Sequence, residues 1–192
     1  MGLAERGQEL ERVISSATDK PHLILLWGHP DPDAIGSALA HKRLCERLGA
    51  SATIAHVLPV SRAENRALVK LLNVPMLKLT EAADLESFGY LALVDASSSE
   101  SSIRLPESLR LLTVVDHHRP PSVPKAEFVD IRHDVCSTCT IYADYAERGL
   151  APFGASGNDD SSVSVWMPKN IAVAMGESSL PLVPKGANPR SA

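Results

Sequence analysis

Apolar residues along this 192-residue chain gather in short continuous runs separated by polar stretches. His22 to Trp27, Ala52 to Val57, Met76 to Leu79, Tyr90 to Val94, Leu111 to Val115 and Ala126 to Val129 each predict a buried strand. Between most of them the spacing becomes helical. Leu3, Leu10, Val13, Ile14 and Ala17 share one side of an amphipathic helix over 3–17, and Pro21 ends it. Ala34, Ile35, Ala38, Leu39 and Leu44 form a sheet-facing stripe on a helix that Asp33 or a neighbour caps and Gly49 stops. Further helices are expected from Glu64 to Leu72 and from Cys136 to Arg148. Strands that are apolar on both sides, alternating with helices, predict an α/β fold with a mostly parallel sheet and helices on both faces.

Three of the strand runs end in groups that can hold a cation. The run Leu111 to Val115 passes directly into Asp116-His117-His118. Leu23 to Trp27 leads into Gly28-His29-Pro30-Asp31-Pro32-Asp33, and Tyr90 to Val94 leads into Asp95. Open α/β sheets bind ligands outside the carboxyl ends of their strands. Carboxylates and imidazoles delivered there suit a divalent metal ion. Each residue taken singly has a plainer use. Asp33 could cap a helix, Asp95 could shape a turn, and Asp31 could shape a loop. Their joint placement at strand ends favours the metal site. His22, His41, His56 and His133 lie off this constellation and read as core or surface side chains.

Taken in order, these segments resemble the DHH phosphoesterase family. Its members include RecJ-like nucleases, oligoribonuclease and pAp-phosphatase relatives, and family II pyrophosphatases. The resemblance runs from about Pro21 to Leu150. It also covers Asp33-Ala34-Ile35-Gly36-Ser37, Arg62-Ala63-Glu64-Asn65-Arg66-Ala67, Phe128-Val129-Asp130 and Cys136-Ser137-Thr138-Cys139-Thr140. What it implies is a Rossmann-like, DHH-type domain over residues 1–150. The implied activity is metal-dependent hydrolysis of phosphodiester or phosphomonoester bonds by metal-activated water. Short oligonucleotides or small phosphorylated nucleotides would be the substrates, in the cytoplasm.

The resemblance also assigns roles. Two ions, manganese or magnesium, would be bridged by Asp95, with Asp31 serving one and Asp33 and His117 the other. Asp116 would be a ligand or an orienter of one, and His118 would contact the scissile phosphate. Arg62 and Asn65 would neighbour the substrate, although Arg62 and Glu64 also suit a solvated helix start. A homodimer is left open.

Two departures from the family pattern change the expectation. The first motif usually begins with a histidine four residues before its first aspartate, where this chain has Trp27; His29 is the nearest substitute. The fourth motif ends in an aspartate, whereas Ile171-Ala172-Val173-Ala174-Met175-Gly176-Glu177-Ser178-Ser179 offers only Glu177. The family's C-terminal substrate-binding domain has no counterpart, so a truncated relative is expected. The competing reading is a catalytically impaired remnant that binds a metal or nucleotide without turnover.

Composition narrows the partners. A net charge of −4 and a pI near 6.0 give no general attraction to nucleic acid, so nucleotide binding would have to be local. No apolar stretch approaches the roughly 20 residues that span a bilayer, and no signal peptide is visible. The 3 cysteines include a C-x-x-C at Cys136 and Cys139. With no second ligand pair for zinc, it reads as small-residue packing under a helix start. Residues 151–192, rich in Gly, Ser, Asp and Pro, are expected to form a divergent, partly disordered tail, with short elements at 163–165 and 171–175.

Overall fold

A computed structural model describes residues 3–80, 85–97 and 105–147. The expected elements at 163–165 and 171–175, and Glu177, lie outside the described residues. Four helices and six strands follow in the order α1 (Leu3–Ser15), β1 (His22–Leu26), α2 (Pro32–Arg47), β2 (Ala52–His56), α3 (Ala63–Leu71), β3 (Met76–Lys78), β4 (Tyr90–Val94), β5 (Arg110–Asp116), β6 (Phe128–Ile131) and α4 (Thr138–Glu147). The strands form one parallel sheet in the order β3-β2-β1-β4-β5-β6. The predicted α/β architecture is therefore present.

The strand order places the site. Strands step outward from β1 in one direction through β2 and β3, and from β4 in the other through β5 and β6. Right-handed crossovers then lie on opposite faces in the two halves, which opens a crevice between the carboxyl ends of β1 and β4. The loops after β1 and β4 carry the acidic residues singled out above.

All four described helices share one face. Leu10 and Ile14 of α1, Ile35 and Leu44 of α2, and Tyr142 and Tyr145 of α4 pack with Ile24, Leu26, Ile54, Val94 and Leu112 of the sheet, and Leu68 and Leu72 join them from the α3 region. On the other face, Leu23, Leu25, Leu91, Leu93 and Val114 meet Leu79, Leu85, Leu105 and Leu109 from connecting segments. Helices were expected on both faces; among the described residues they cover one. The physical reason is in the second half of the chain. Its described crossover segments contain Pro106, Pro120, Pro121 and Pro124, which lack an N–H and clash within a helix.

The one strand displaced from expectation is β6, which runs Phe128–Ile131 instead of 126–129. Thr113 pairs with Phe128 and Val115 with Asp130. Phe128 and Asp130 both point into the first core, at 2% and 3% exposure. A buried aspartate breaks the apolar run by which the strand was located. Its compensation is local: Arg132 Nε donates to Asp130 Oδ2 (2.9 Å), Arg132 Nη1 donates to Asp144 Oδ2 (2.7 Å), and the Tyr145 hydroxyl donates to Asp130.

Candidate metal centre

The chain leaves β1 at Leu26, and Trp27 turns half-buried into the second core. Gly28 follows at φ +66°, a left-handed conformation that a side chain would resist. The buried Asn65 of α3 donates its amide to the Pro30 carbonyl at 3.1 Å and so ties the loop to the neighbouring helix. Asp31, extended at φ −106°, caps α2 by accepting from the Ala34 N–H at 2.9 Å. Pro32 occupies the first helical turn, where its missing N–H costs nothing. This places Asp33 in the first turn of α2.

Asp33 is held from the far end of the domain. Its Oδ2 accepts from the Thr138 N–H and its Oδ1 from the Cys139 N–H, both at 2.8 Å. These are the first amides of α4, which no intrahelical carbonyl can satisfy. Ser137 Oγ accepts from the Thr140 N–H at 3.2 Å, so the helix has its own cap as well. The buried Thr138 side chain then reaches across to the second acidic loop and donates its hydroxyl to Asp95 Oδ1 at 3.0 Å.

Asp95 follows β4 with φ +57°, a region in which aspartate is tolerated at some cost. Its N–H donates to the Val115 carbonyl at 3.0 Å, which keeps it at the sheet end. Burial, with the Asp33 charge next in weight, pushes the Asp95 carboxyl up to about 8; Asp31 adds to this and the Thr138 hydroxyl opposes it. A carboxylate in this position resists ionising unless positive charge arrives.

The imidazoles come from the end of β5. His117 Nε2 lies 3.5 Å from Asp33 Oδ2 and 3.4 Å from Asp95 Oδ1. Both separations exceed the roughly 2.7–2.9 Å of a charge-assisted hydrogen bond, so the three groups converge without closing on one another. Asp116, the fully buried last residue of β5, organises the turn. Its Oδ1 accepts from the backbone N–H of His117 (2.8 Å) and His118 (3.1 Å), and from His118 Nδ1 (2.8 Å). Burial alone would raise the Asp116 carboxyl, but the hydrogen bonds from the His118 amide and ring hold it below the usual value. The Ser97 side chain also lowers it, and among the described residues the buried Asp116 Oδ2 has no hydrogen-bond partner.

These residues fit a divalent cation. Asp95, His117 and His118 each present a ligand atom within 4.8 Å of the others, and Asp33 lies 3.5 Å from His117. An unspent buried acceptor, a carboxylate that resists ionising and convergent imidazoles are a donor set that a cation would satisfy.

Residues 23–175 match the DHH family, N-terminal domain. The chain belongs to the DHH family. An uncharacterized protein of Methanocaldococcus jannaschii is 36% identical over 126 residues, covering 65% of this chain and 25% of that protein. A Clostridium acetobutylicum protein named as a probable manganese-dependent inorganic pyrophosphatase is 32% identical over 135 residues, covering 68% of this chain and 42% of its own length. The crystal structure of an exopolyphosphatase-related protein from Bacteroides fragilis shares the fold, with TM-score 0.52 at 15% identity, over 76% of this chain and 44% of that one. The chain therefore spans less than half the length of these relatives.

In this DHH domain the remaining candidate residues are placed as follows. His29 is exposed, with Nδ1 2.9 Å from the Pro59 carbonyl, and so faces the loop after β2. Arg62 is exposed at the start of α3 and makes no side-chain cap bond. Asn65 holds the Pro30 loop, as described. Cys136 is exposed and Cys139 buried. Cys139 Sγ donates to the Asp33 carbonyl at 3.3 Å, and burial pushes its thiol well above the ordinary range. His22 and His41 are buried in the core, His56 is buried at the end of β2, and His133 is exposed. Sequence reasoning did not assign Thr138 a part in the site. The small-residue run around it was the available signal.

Proposed function

We propose that this domain is a divalent-metal-dependent hydrolase acting on the phosphoester bonds of small phosphorylated substrates. The observation that carries the reading is the convergence of Asp33, Asp95 and His117, with His118 beside them, at the switch point of a parallel sheet. Asp31, Asp33, Asp95, Asp116 and His117 would hold manganese or magnesium. A cation bound there would supply Lewis acidity toward the phosphoryl oxygens and lower the pKa of a water nucleophile. His118 has its Nδ1 engaged by Asp116, which leaves Nε2 on an exposed ring to meet the scissile phosphate. Arg62, exposed beside the same edge, would contact a second phosphate. The family assignment and a relative named as a probable manganese-dependent inorganic pyrophosphatase support the reaction class and the ion.

The test is a manganese titration of the metal-free chain by calorimetry, alongside Asp95→Ala. Release of mononucleotides from short oligonucleotides, and of phosphate from pAp-like nucleotides and pyrophosphate, is then measured with the same two proteins. Manganese binding and hydrolysis present in the wild type and lost in Asp95→Ala are the expected result. Equal rates in both proteins would remove catalysis from this site.

Trp27 favours a second reading, in which the domain binds a cation or nucleotide without turnover. Its indole is committed to the second core and offers no ligand atom. If this reading holds, Trp27→His strengthens manganese binding and introduces turnover where the wild type has none. An active wild type would dispose of it.

A further inference from the structure

The amino end of α4 contacts both acidic loops of the site, and this joint contact has a consequence of its own. The Thr138 and Cys139 amides grip the two oxygens of Asp33, while the Thr138 hydroxyl bonds Asp95, 43 residues away along the chain. Thr138 itself is fully buried. The Asp33 charge disfavours ionisation of Asp95, and each carboxyl faces His117 at 3.4–3.5 Å. The two carboxyls sit on separate loops, after β1 and after β4, and Thr138 bonds to both: its N–H to Asp33 and its hydroxyl to Asp95. Ser137 caps α4 through Thr140, so the helix start does not need Thr138 for its own capping.

We propose that Thr138 is a positioning residue for the metal centre, aligning Asp95 with Asp33 through its hydroxyl so that both carboxylates face His117. It touches neither substrate nor reacting atoms. Its effect is carried by Asp95, as with other groups that orient metal ligands. The inference rests on the metal-centre reading above.

The decisive comparison is manganese binding to wild type, Thr138→Val and Thr138→Ser in the metal-free full chain. Valine keeps the shape of threonine and removes the hydroxyl; serine keeps the hydroxyl. Thr138→Val is expected to lose about 10- to 100-fold in manganese affinity, and Thr138→Ser to stay near wild type. The electron paramagnetic resonance spectrum of bound manganese should change in Thr138→Val and be restored in Thr138→Ser. A merely structural role would lower the metal-free melting temperature while leaving affinity and spectrum unchanged, and that outcome overturns the proposal. If Thr138→Val does not fold, Thr138→Ala against Thr138→Ser makes the same comparison. Wild type that binds manganese with an unaffected valine variant overturns the role of Thr138 alone. Wild type that binds none overturns the metal centre and the inference together.

Discussion

Two acidic regions of this protein are completed in opposite ways. Around α4, Arg132 meets Asp130 and Asp144, Tyr145 donates to Asp130, and Arg6 approaches the same aspartate. Each charge there has a partner of opposite sign. At the strand ends, Asp31, Asp33, Asp95 and Asp116 gather, and among the described residues no lysine or arginine forms an ion pair with any of them. Beside Asp33, Asp95 and Asp116 lie the imidazoles of His117 and His118. The same side chain, aspartate, thus serves architecture in one place and leaves unmet acceptor capacity in the other. Balance of charge, more than burial, separates a fastener from a site.

The comparison is most severely tested by removing the balancing charge. Arg132→Met removes the cation shared by Asp130 and Asp144 and leaves Asp130 only the more distant Arg6, and the chain should lose about 3–5 kcal/mol in urea unfolding. A loss below about 1 kcal/mol would mean that the pairing around α4 contributes little.

A neutral buried group gives the next largest effect. His41 lies between Tyr142 and Thr113, and burial lowers its pKa to about 3. In the unfolded chain a histidine titrates near 6.5, so below that pH the unfolded state binds the proton and the folded state does not. The contribution is whole above about pH 6.5 and is lost as pH falls toward 3. Stability should drop by about 2–3 kcal/mol between roughly pH 6.5 and 4.5. The drop should be smaller in His41→Gln; equal slopes in both proteins would contradict it.

The acidic site should respond in the opposite direction to the α4 region. With metal removed by chelation, Asp95→Asn relieves a carboxylate held up at about 8 by burial and by Asp33. A raised folded pKa destabilises the ionised form, so the penalty grows as pH rises from the unfolded value near 4 through 8. Asp95→Asn should therefore stabilise the metal-free chain by roughly 1–2 kcal/mol at pH 9 and by less at pH 6. A destabilised variant at both pH values would show that Asp95 is balanced after all.

The smallest effect concerns the loop that presents Asp31. Asn65→Ala removes the bond to the Pro30 carbonyl and should cost about 1 kcal/mol. Hydrogen exchange should quicken at Asp33 and Ala34, in the first turn of α2, and remain unchanged in β5.

The acidic and imidazole groups could be read from the chain because each follows a continuous apolar run. Such a run marks a buried strand of a parallel sheet, and the residue after it emerges at the sheet edge. Trp27 was also legible as a departure from the family pattern, although its direction into the second core was not. The displacement of β6 escaped detection because Asp130 is a charged residue buried by partners at Arg132, Asp144 and Tyr145. The described segments of the later crossovers carry prolines, whose effect on packing is not expressed by hydrophobic spacing.

By itself, the order of apolar runs determined that this chain forms a parallel α/β sheet, and the residues following β1, β4 and β5 determined which groups collect at its carboxyl edge. Both are local properties: strand burial and chain direction are written within a few residues of each other. Tertiary structure alone decided which of those groups meet. Asp33 and the amides of Thr138 and Cys139 are 105 and 106 positions apart, and no spacing rule links positions so distant. Their contact follows from the return of α4 to the face occupied by α2. That packing brings helix amides, a hydroxyl and two carboxylates to one point, where their charges act on one another.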